Sequence, residues 1–240
     1  MKLFLAATSD KSFVGEQTLK SIPYILESFY YFQDWQKPFI NNCKMFLLDS
    51  GAFTFMSNAT DINFDEYLTR YIKFINDNDI KFFFELDIDS VVGYEKVKQM
   101  RHRLEKETGK RCIPVWHKSR GIDEWYKLCK EYSYVAIGGI VSKEITKKDY
   151  PVFLQLNKIA ARYGTKVHGL GFTNKDAYKY GFYSVDSTNW KSGGRFGQLH
   201  IFDGKKIISI SEKDKRAKDY KQIDNHNIRE WIRYQNYLDK

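Results

Sequence analysis

YVAIGGIVSKEITKKDYPVFLQLNKIAARYGTKVHGLGF, residues 134–172, sets two short apolar runs on either side of one amphipathic stretch. YVAIGGIV (134–141) and KVHGLGF (166–172) have strand character, and VFLQLNKIAARYG between them has helical periodicity. Strand, helix and strand in that order make a parallel βαβ unit. The same alternation runs outward in both directions. Upstream lie LFLAAT (3–8), MFLLDSGAF (45–53), FFFELDID (82–89) and CIPVWH (112–117). The helices between them are NFDEYLTRYIKFIN, opening near Asn63 with Tyr67, Tyr71, Phe74 and Ile75 on one face, then YEKVKQMRHRLEKE, stopped by Gly109, then DEWYKLCKEY. Downstream, a short helix from Asn174 precedes YSVDSTNW (183–190) and QLHIFDG (198–204).

Eight strand candidates in roughly 200 residues lead to the expectation of an α/β fold of the (β/α)8 TIM-barrel type, with residues 1–240 as a single domain. SEKDKRAKDYKQIDNHN (211–227) reads as a basic, solvated connector, and IREWIRYQNYL (228–238) as a closing C-terminal helix. A doubly wound open sheet is the alternative, and the Gly-rich dinucleotide fingerprint it calls for after the first strand is missing.

The 240 residues are 42% hydrophobic, enough for one large core, and carry a formal charge of +9, which favours a polyanionic partner. No run approaches the roughly 18 apolar residues of a membrane span, and MKLFLAAT lacks the length and cleavage site of a signal peptide. A soluble protein of the cytoplasm, the host's where a phage encodes it, is therefore expected, with no membrane partner. Cys43, Cys112 and Cys129 are far apart and form no CxxC pair, so they read as buried thiols rather than a disulfide or zinc framework.

In such barrels the chemistry sits at the C-terminal ends of the strands. The polar residues there are Asp49 and Ser50, Asp87 and Asp89, His117, Gly138 and Gly139, His168 with Gly169 and Gly171, and Asp186. An aspartate at a strand end has an ordinary explanation as a helix cap or turn residue. Asp49, Asp87 and Asp186 instead follow apolar strand residues and precede further loop. Two carboxylates across a pocket suit glycosidic chemistry, because negative charge stabilises an oxocarbenium-like transition state while a second group handles the proton. Phe53, after the SGA turn, offers a ring to stack on a planar ligand.

These segments resemble the tRNA-guanine transglycosylase superfamily, in order, from Asp49 to Gly204. DSGAF (49–53) is similar to that family's DSGGF segment, whose Asp is the acid/base group, whose Ser touches the base and whose aromatic stacks on it. LDID (86–89) is similar to the strand whose Asp recognises the guanine edge, with Asp87 the better match. VAIGGIVSKE (135–144) looks like the strand and loop whose amides bind the purine, through Gly138 and Gly139 here. YSVDSTNW (183–190) stands where the nucleophilic Asp lies, which makes Asp186 the implied nucleophile, and SGGRFGQLHIFDG (192–204) resembles the segment after it.

Departures narrow the likeness. The tRNA enzymes' C-terminal zinc site is missing, Ala52 and Thr54 replace a Gly and a Gln of their motif, and His117 stands where they place a base-contacting Gln. The chain looks most like the zinc-less 7-deazaguanine DNA transglycosylases of phages and bacteria, the DpdA type. That resemblance implies exchange of guanine for a free 7-deazaguanine base in nucleic acid, DNA rather than tRNA. No cofactor or metal is implied. Asp89, His117 and His168 would assist Asp87 at the base, and Lys118, Lys191 and Arg195 are candidates for gripping phosphate. The alternatives are a glycosylase that hydrolyses the same bond, a metal-dependent barrel hydrolase using His117, His168 and aspartates, and a noncatalytic nucleic-acid binder.

Overall fold

A computed structural model describes residues 1–8, 18, 20–51, 54, 62–172, 177–211 and 220–240; the side chains of 194, 195 and 220 are outside it. Seven parallel strands form one sheet: β1 (Lys2–Ala6), β2 (Tyr24–Ser28), β3 (Met45–Asp49), β4 (Val115–Trp116), β5 (Tyr134–Ile137), β6 (Lys166–Gly169) and β7 (Ser184–Ser187). Their order is β3-β2-β1-β7-β6-β5-β4. Among the described residues they are accompanied by α1 (Lys37–Asn42), α2 (Phe64–Asp77), α3 (Asp89–Val92), α4 (Tyr94–Thr108), α5 (Gly121–Glu131) and α6 (Pro151–Arg162).

The α/β alternation is as expected, but the eight-stranded barrel is not. FFFELDID forms no strand: Phe83 makes a single parallel bridge to Leu48 of β3, and Phe84 one to Ile113, just ahead of β4. Beyond that point a side chain takes over the ladder, because the N–H of Val115 donates to Glu85 Oε1 at 2.8 Å. QLHIF leaves the sheet altogether. As β8 (Gln198–Phe202) it pairs antiparallel with β9 (Ile207–Ser211), closed by a turn in which Asp203 Oδ1 accepts the N–H groups of Lys205 and Lys206. Asp-Gly between apolar runs is a strong hairpin signal, so this correction was available from residues 203–204.

Strand side chains alternate between two cores. Phe4, Ala6, Tyr24, Leu26, Leu47, Phe84, Ile113, Val115, Tyr134 and Ala136 cluster on the concave face of the curled sheet. Their neighbours Leu3, Leu5, Ile25, Phe46, Leu48, Val135, Ile137 and Val185 join the larger cluster under the helices. Asp49, His117, His168 and Asp186 fall in the concave-face register, two residues on from Leu47, Val115, Lys166 and Ser184.

The helix from Asn63 is realised as α2: the Asn63 side chain accepts the N–H of Glu66, Asp65 and Glu66 sit in the first turn, and Tyr67, Leu68, Tyr71, Ile72 and Ile75 are buried. The following helix, α4, ends at Gly109 as expected. After the short α7 (Ser192–Phe196) and the hairpin, the last helix, α8, spans Tyr220–Leu238. It thus absorbs residues 220–227 of the expected connector; 212–219, like the helix start at 174–176, lie outside the described residues. Polar side chains extend it. Asn227 Oδ1 accepts the N–H of His200 (2.8 Å) while its amide donates to Gln198 O (2.9 Å) and Trp190 O (3.2 Å), so a buried polar face docks on β8 where an apolar one was sought. Cys112 and Cys129 are buried and Cys43 partly so. Among the described residues no helix is long and apolar enough to cross a membrane.

Candidate functional site

Asp49 closes β3, and α2 holds the turn after it. Tyr67 and Tyr71, one helical turn apart, point their hydroxyls at this strand end: Tyr67 donates to Ser50 O at 2.6 Å, and Tyr71 reaches Leu48 O and Phe84 O at 3.2 and 3.0 Å. The Gly51 N–H donates to Asp49 Oδ2 (2.9 Å). Gly51 has φ +79°, and a Cβ there would lie 2.6 Å from the Tyr30 Cβ and 2.9 Å from Ser28 Oγ, so only glycine fits. Burial raises the Asp49 carboxyl to about 6 against the pull of the Gly51 N–H, and the negative charges of Asp186 and Asp87 add to the rise. The hydroxyls of Ser28 and Ser50, on either side of Asp49, are buried with no hydrogen-bond partner among the described residues. A hydroxyl left so costs about 1–3 kcal/mol, which a ligand's polar edge would recover.

Asp186, on β7, sits beside Phe4 of β1 in the parallel register. Its Oδ1 accepts the Gly171 N–H at 2.6 Å and faces His168 Nε2 at 3.2 Å. His168 is fully buried, its ring flanked by Phe4 and Phe84. Expected among the base-binding residues, it has both ring nitrogens engaged, Nδ1 with Ser184 Oγ and Nε2 with the Asp186 carboxylate.

Asp87 and His117 meet in an ionic cluster. His117 Nε2 lies 2.9 and 2.8 Å from the two Asp87 oxygens, and its Nδ1 lies 2.9 Å from Glu144 Oε2. Burial would lower this imidazole, but the hydrogen bond and charge of Asp87, with help from Glu144, raise it to about 9, so it is an imidazolium at neutral pH. Both ring nitrogens are thus engaged by carboxylates, Nε2 by Asp87 and Nδ1 by Glu144. Gly138 makes room for it: a Cβ there would come within 2.8 Å of the His117 ring. The Gly138 N–H, expected to face a purine, donates to Trp116 O at 2.9 Å within the sheet. Gly139 turns at φ +83° beside Glu144.

Arg120 gathers the remaining acids. It is 3% exposed, donates from Nε and Nη2 to Asp89 Oδ2 (3.0 and 2.8 Å) and from Nη2 to Asp87 Oδ1 (3.2 Å), and lies 3.5 Å from Glu85. Asp89, in the first turn of α3, is thus an ion-pair partner of Arg120. Asp87, Asp89 and His117 bring ligand atoms within 4.8 Å of one another, a spacing suited to a cation. The guanidinium already supplies positive charge to both carboxylates, and the imidazolium supplies more. Arg120→Met leaves Asp89 without its ion-pair partner and Asp87 with His117 alone, and denaturant melts at pH 7 are expected to show a loss of about 3–5 kcal/mol. A loss under about 1 kcal/mol would mean that the cluster does not depend on this side chain.

Of the phosphate-gripping candidates, Lys118 is exposed and pairs with Asp149 at 2.7 Å, and Lys191 is half-buried, its charge drawing down the Glu27 carboxyl. Phe53 and the Arg195 side chain lie outside the described residues. Several residues of the site were not foreseen from sequence. Glu27, 1% exposed on the unforeseen β2, accepts the Thr8 N–H at 2.8 Å, and burial raises it to about 7. Glu85, Arg120, Glu144, Tyr67 and Tyr71 are the others. Tyr67 and Tyr71 carry a signal, hydroxyls on the buried face of α2, whereas Glu85, Arg120 and Glu144 lie outside strands and long helices.

No family model matches this chain, and no curated protein matches it. Among solved structures it is similar to RipC from Yersinia pestis, at 11% identity over 78% of this chain and 88% of that one, with a TM-score of 0.45.

Proposed function

We propose that the protein is a nucleic-acid base transglycosylase of the tRNA-guanine transglycosylase type, exchanging guanine for a free 7-deazaguanine base, in DNA rather than tRNA. The observation that carries this reading is the convergence of three carboxylates with different surroundings: Asp49 is raised to about 6 and feels the charges of Asp186 and Asp87. Carboxyl groups in such contrasting environments divide into an acid/base, a nucleophile and a binder. The DSGAF, LDID, AIGG and VDSTNW segments support the assignment of roles.

In the first half-reaction a lone pair of Asp186 Oδ2, the oxygen not bonded to Gly171 and His168, attacks C1′ of an extruded nucleotide. The C1′–N bond breaks with its electron pair going to the base nitrogen, which takes the Asp49 proton. The incoming base then loses its proton to Asp49 and displaces Asp186, so configuration is retained over two inversions. Asp87, fixed by His117 and Arg120, accepts the N–H groups of the base edge, and the unpaired Ser50 hydroxyl reaches the same ring. Extrusion from a duplex costs a few kcal/mol, which phosphate contacts by a chain of +9 offset.

Incubation with guanine-containing DNA or tRNA and radiolabelled guanine tests the reading. Label in the DNA is the expected result. Label in neither polymer overturns base exchange, and abasic sites without label make water the acceptor. Because the first step needs protonated Asp49, kcat/KM for the nucleic acid is expected to fall about tenfold per pH unit above pH 6. A profile flat from pH 6 to 8 would remove Asp49 as the acid.

A further inference from the structure

Asp186 is not held alone. Three adjacent strands each contribute one side chain to a chain of hydrogen bonds that ends on it. Tyr134 of β5 has its hydroxyl 2.5 Å from Ser184 Oγ of β7, Ser184 Oγ lies 2.7 Å from His168 Nδ1 of β6, and His168 Nε2 lies 3.2 Å from Asp186 Oδ1. The backbone register produces it: His168 pairs with Ser184 on one side and with Ala136 on the other, and Tyr134 and Asp186 are each two residues from those partners on the concave face.

The donors can be ordered from the acceptor end. A carboxylate oxygen that already takes the Gly171 N–H only accepts, so the hydrogen between it and His168 belongs to Nε2. In the neutral ring Nδ1 is then the acceptor, Ser184 donates to it, and Tyr134 donates to Ser184. We infer that Tyr134 and Ser184 fix the tautomer of His168, and that His168 is a positioning residue tying down one oxygen of Asp186 and presenting the other to C1′. The inference rests on the reading of Asp186 as the nucleophile.

The relay acts on both half-reactions. It sets the rotamer of the attacking carboxylate. When the second base displaces Asp186, the electron pair of the C1′–O bond returns to the carboxylate, and the His168 Nε2–H and Gly171 N–H are already aimed at the oxygen that shares that charge. Without the Ser184 hydroxyl the ring is free to adopt the other tautomer, which turns a lone pair toward Asp186.

The test compares the full chain with Ser184→Ala, Tyr134→Phe and the double variant, using guanine-containing DNA and radiolabelled guanine. Each single variant removes one hydroxyl from a packed position, and thermal melting checks that the fold is kept. KM is expected to stay within twofold while kcat falls roughly ten- to a hundredfold. The steady-state fraction of covalent protein–DNA adduct is expected to rise, because breakdown loses its stabilised leaving group. The double variant is expected to be little worse than either single one, since both act through one imidazole. Nitrogen-15 spectra of the His168 ring are expected to show the Nε2–H tautomer in the parent and its loss in Ser184→Ala. Variants with unchanged kcat and adduct fraction, beside an inactive Asp186→Asn, overturn the relay alone. A parent protein that forms neither product nor adduct overturns the nucleophile reading and the relay with it. An Nδ1–H tautomer in the parent overturns the relay whatever the activity.

Discussion

Asp186→Asn is expected to abolish base exchange, with a loss on the order of 10^4-fold or more, and to abolish the protein–DNA adduct on denaturing gels. An amide cannot form the glycosyl ester, yet its carbonyl oxygen still accepts the Gly171 N–H that Asp186 Oδ1 accepts at 2.6 Å. The fold is therefore retained, and the loss is chemical. An Asp186→Asn protein that exchanges base at the parent rate would take this residue out of the reaction.

Asp49→Asn is expected to be as damaging to exchange and, unlike Asp186→Asn, to make the protein more stable at neutral pH. The sign follows from the raised carboxyl. The folded value of about 6 exceeds the ordinary 3.8, so the group favours folding in its neutral form. That contribution is complete below about pH 4 and is lost as pH rises through 6. Above pH 7 the parent holds a partly buried charge at a cost of about 2–3 kcal/mol, which the neutral amide does not carry. Denaturant melts at pH 7.5 are expected to favour Asp49→Asn by about that much, and the difference is expected to close near pH 4. Equal stability at pH 7.5 would mean that the site does not strain this carboxylate. The trade of stability for reactivity is the usual one where a buried group is kept for chemistry.

The strand ends were legible because an apolar run that stops on Asp is a local pattern. Asp49 and Asp186 show it, and both lie in the concave-face register. Helices α2 and α4 were legible from caps and periodicity, again within one segment. What failed was whatever depends on a partner far along the chain. YILES of β2 carries Glu27 in its interior and reads as broken until the Thr8 N–H, 19 residues away, satisfies the carboxylate. FFFELDID opens on three phenylalanines, yet the Glu85 side chain takes the Val115 N–H that a strand would give to a backbone carbonyl. The ion pairs of Arg120 span 31 to 35 residues. His168 and His117 stand at strand ends as their sequence position implies, but sequence does not reveal that their ring nitrogens face Asp186, Asp87 and Glu144.

The empty space over Gly138 has an evolutionary side. A methyl group at 138 and an imidazole at 117 compete for one volume, so neither position is free to drift alone. An imidazole at 117 is therefore expected only beside glycine at 138, and a side chain at 138 only beside a slimmer residue at 117, which Gly138→Ala tests by displacing the His117 ring from Asp87. A substitution at 117 thus meets its constraint at 138, just past the end of the neighbouring strand.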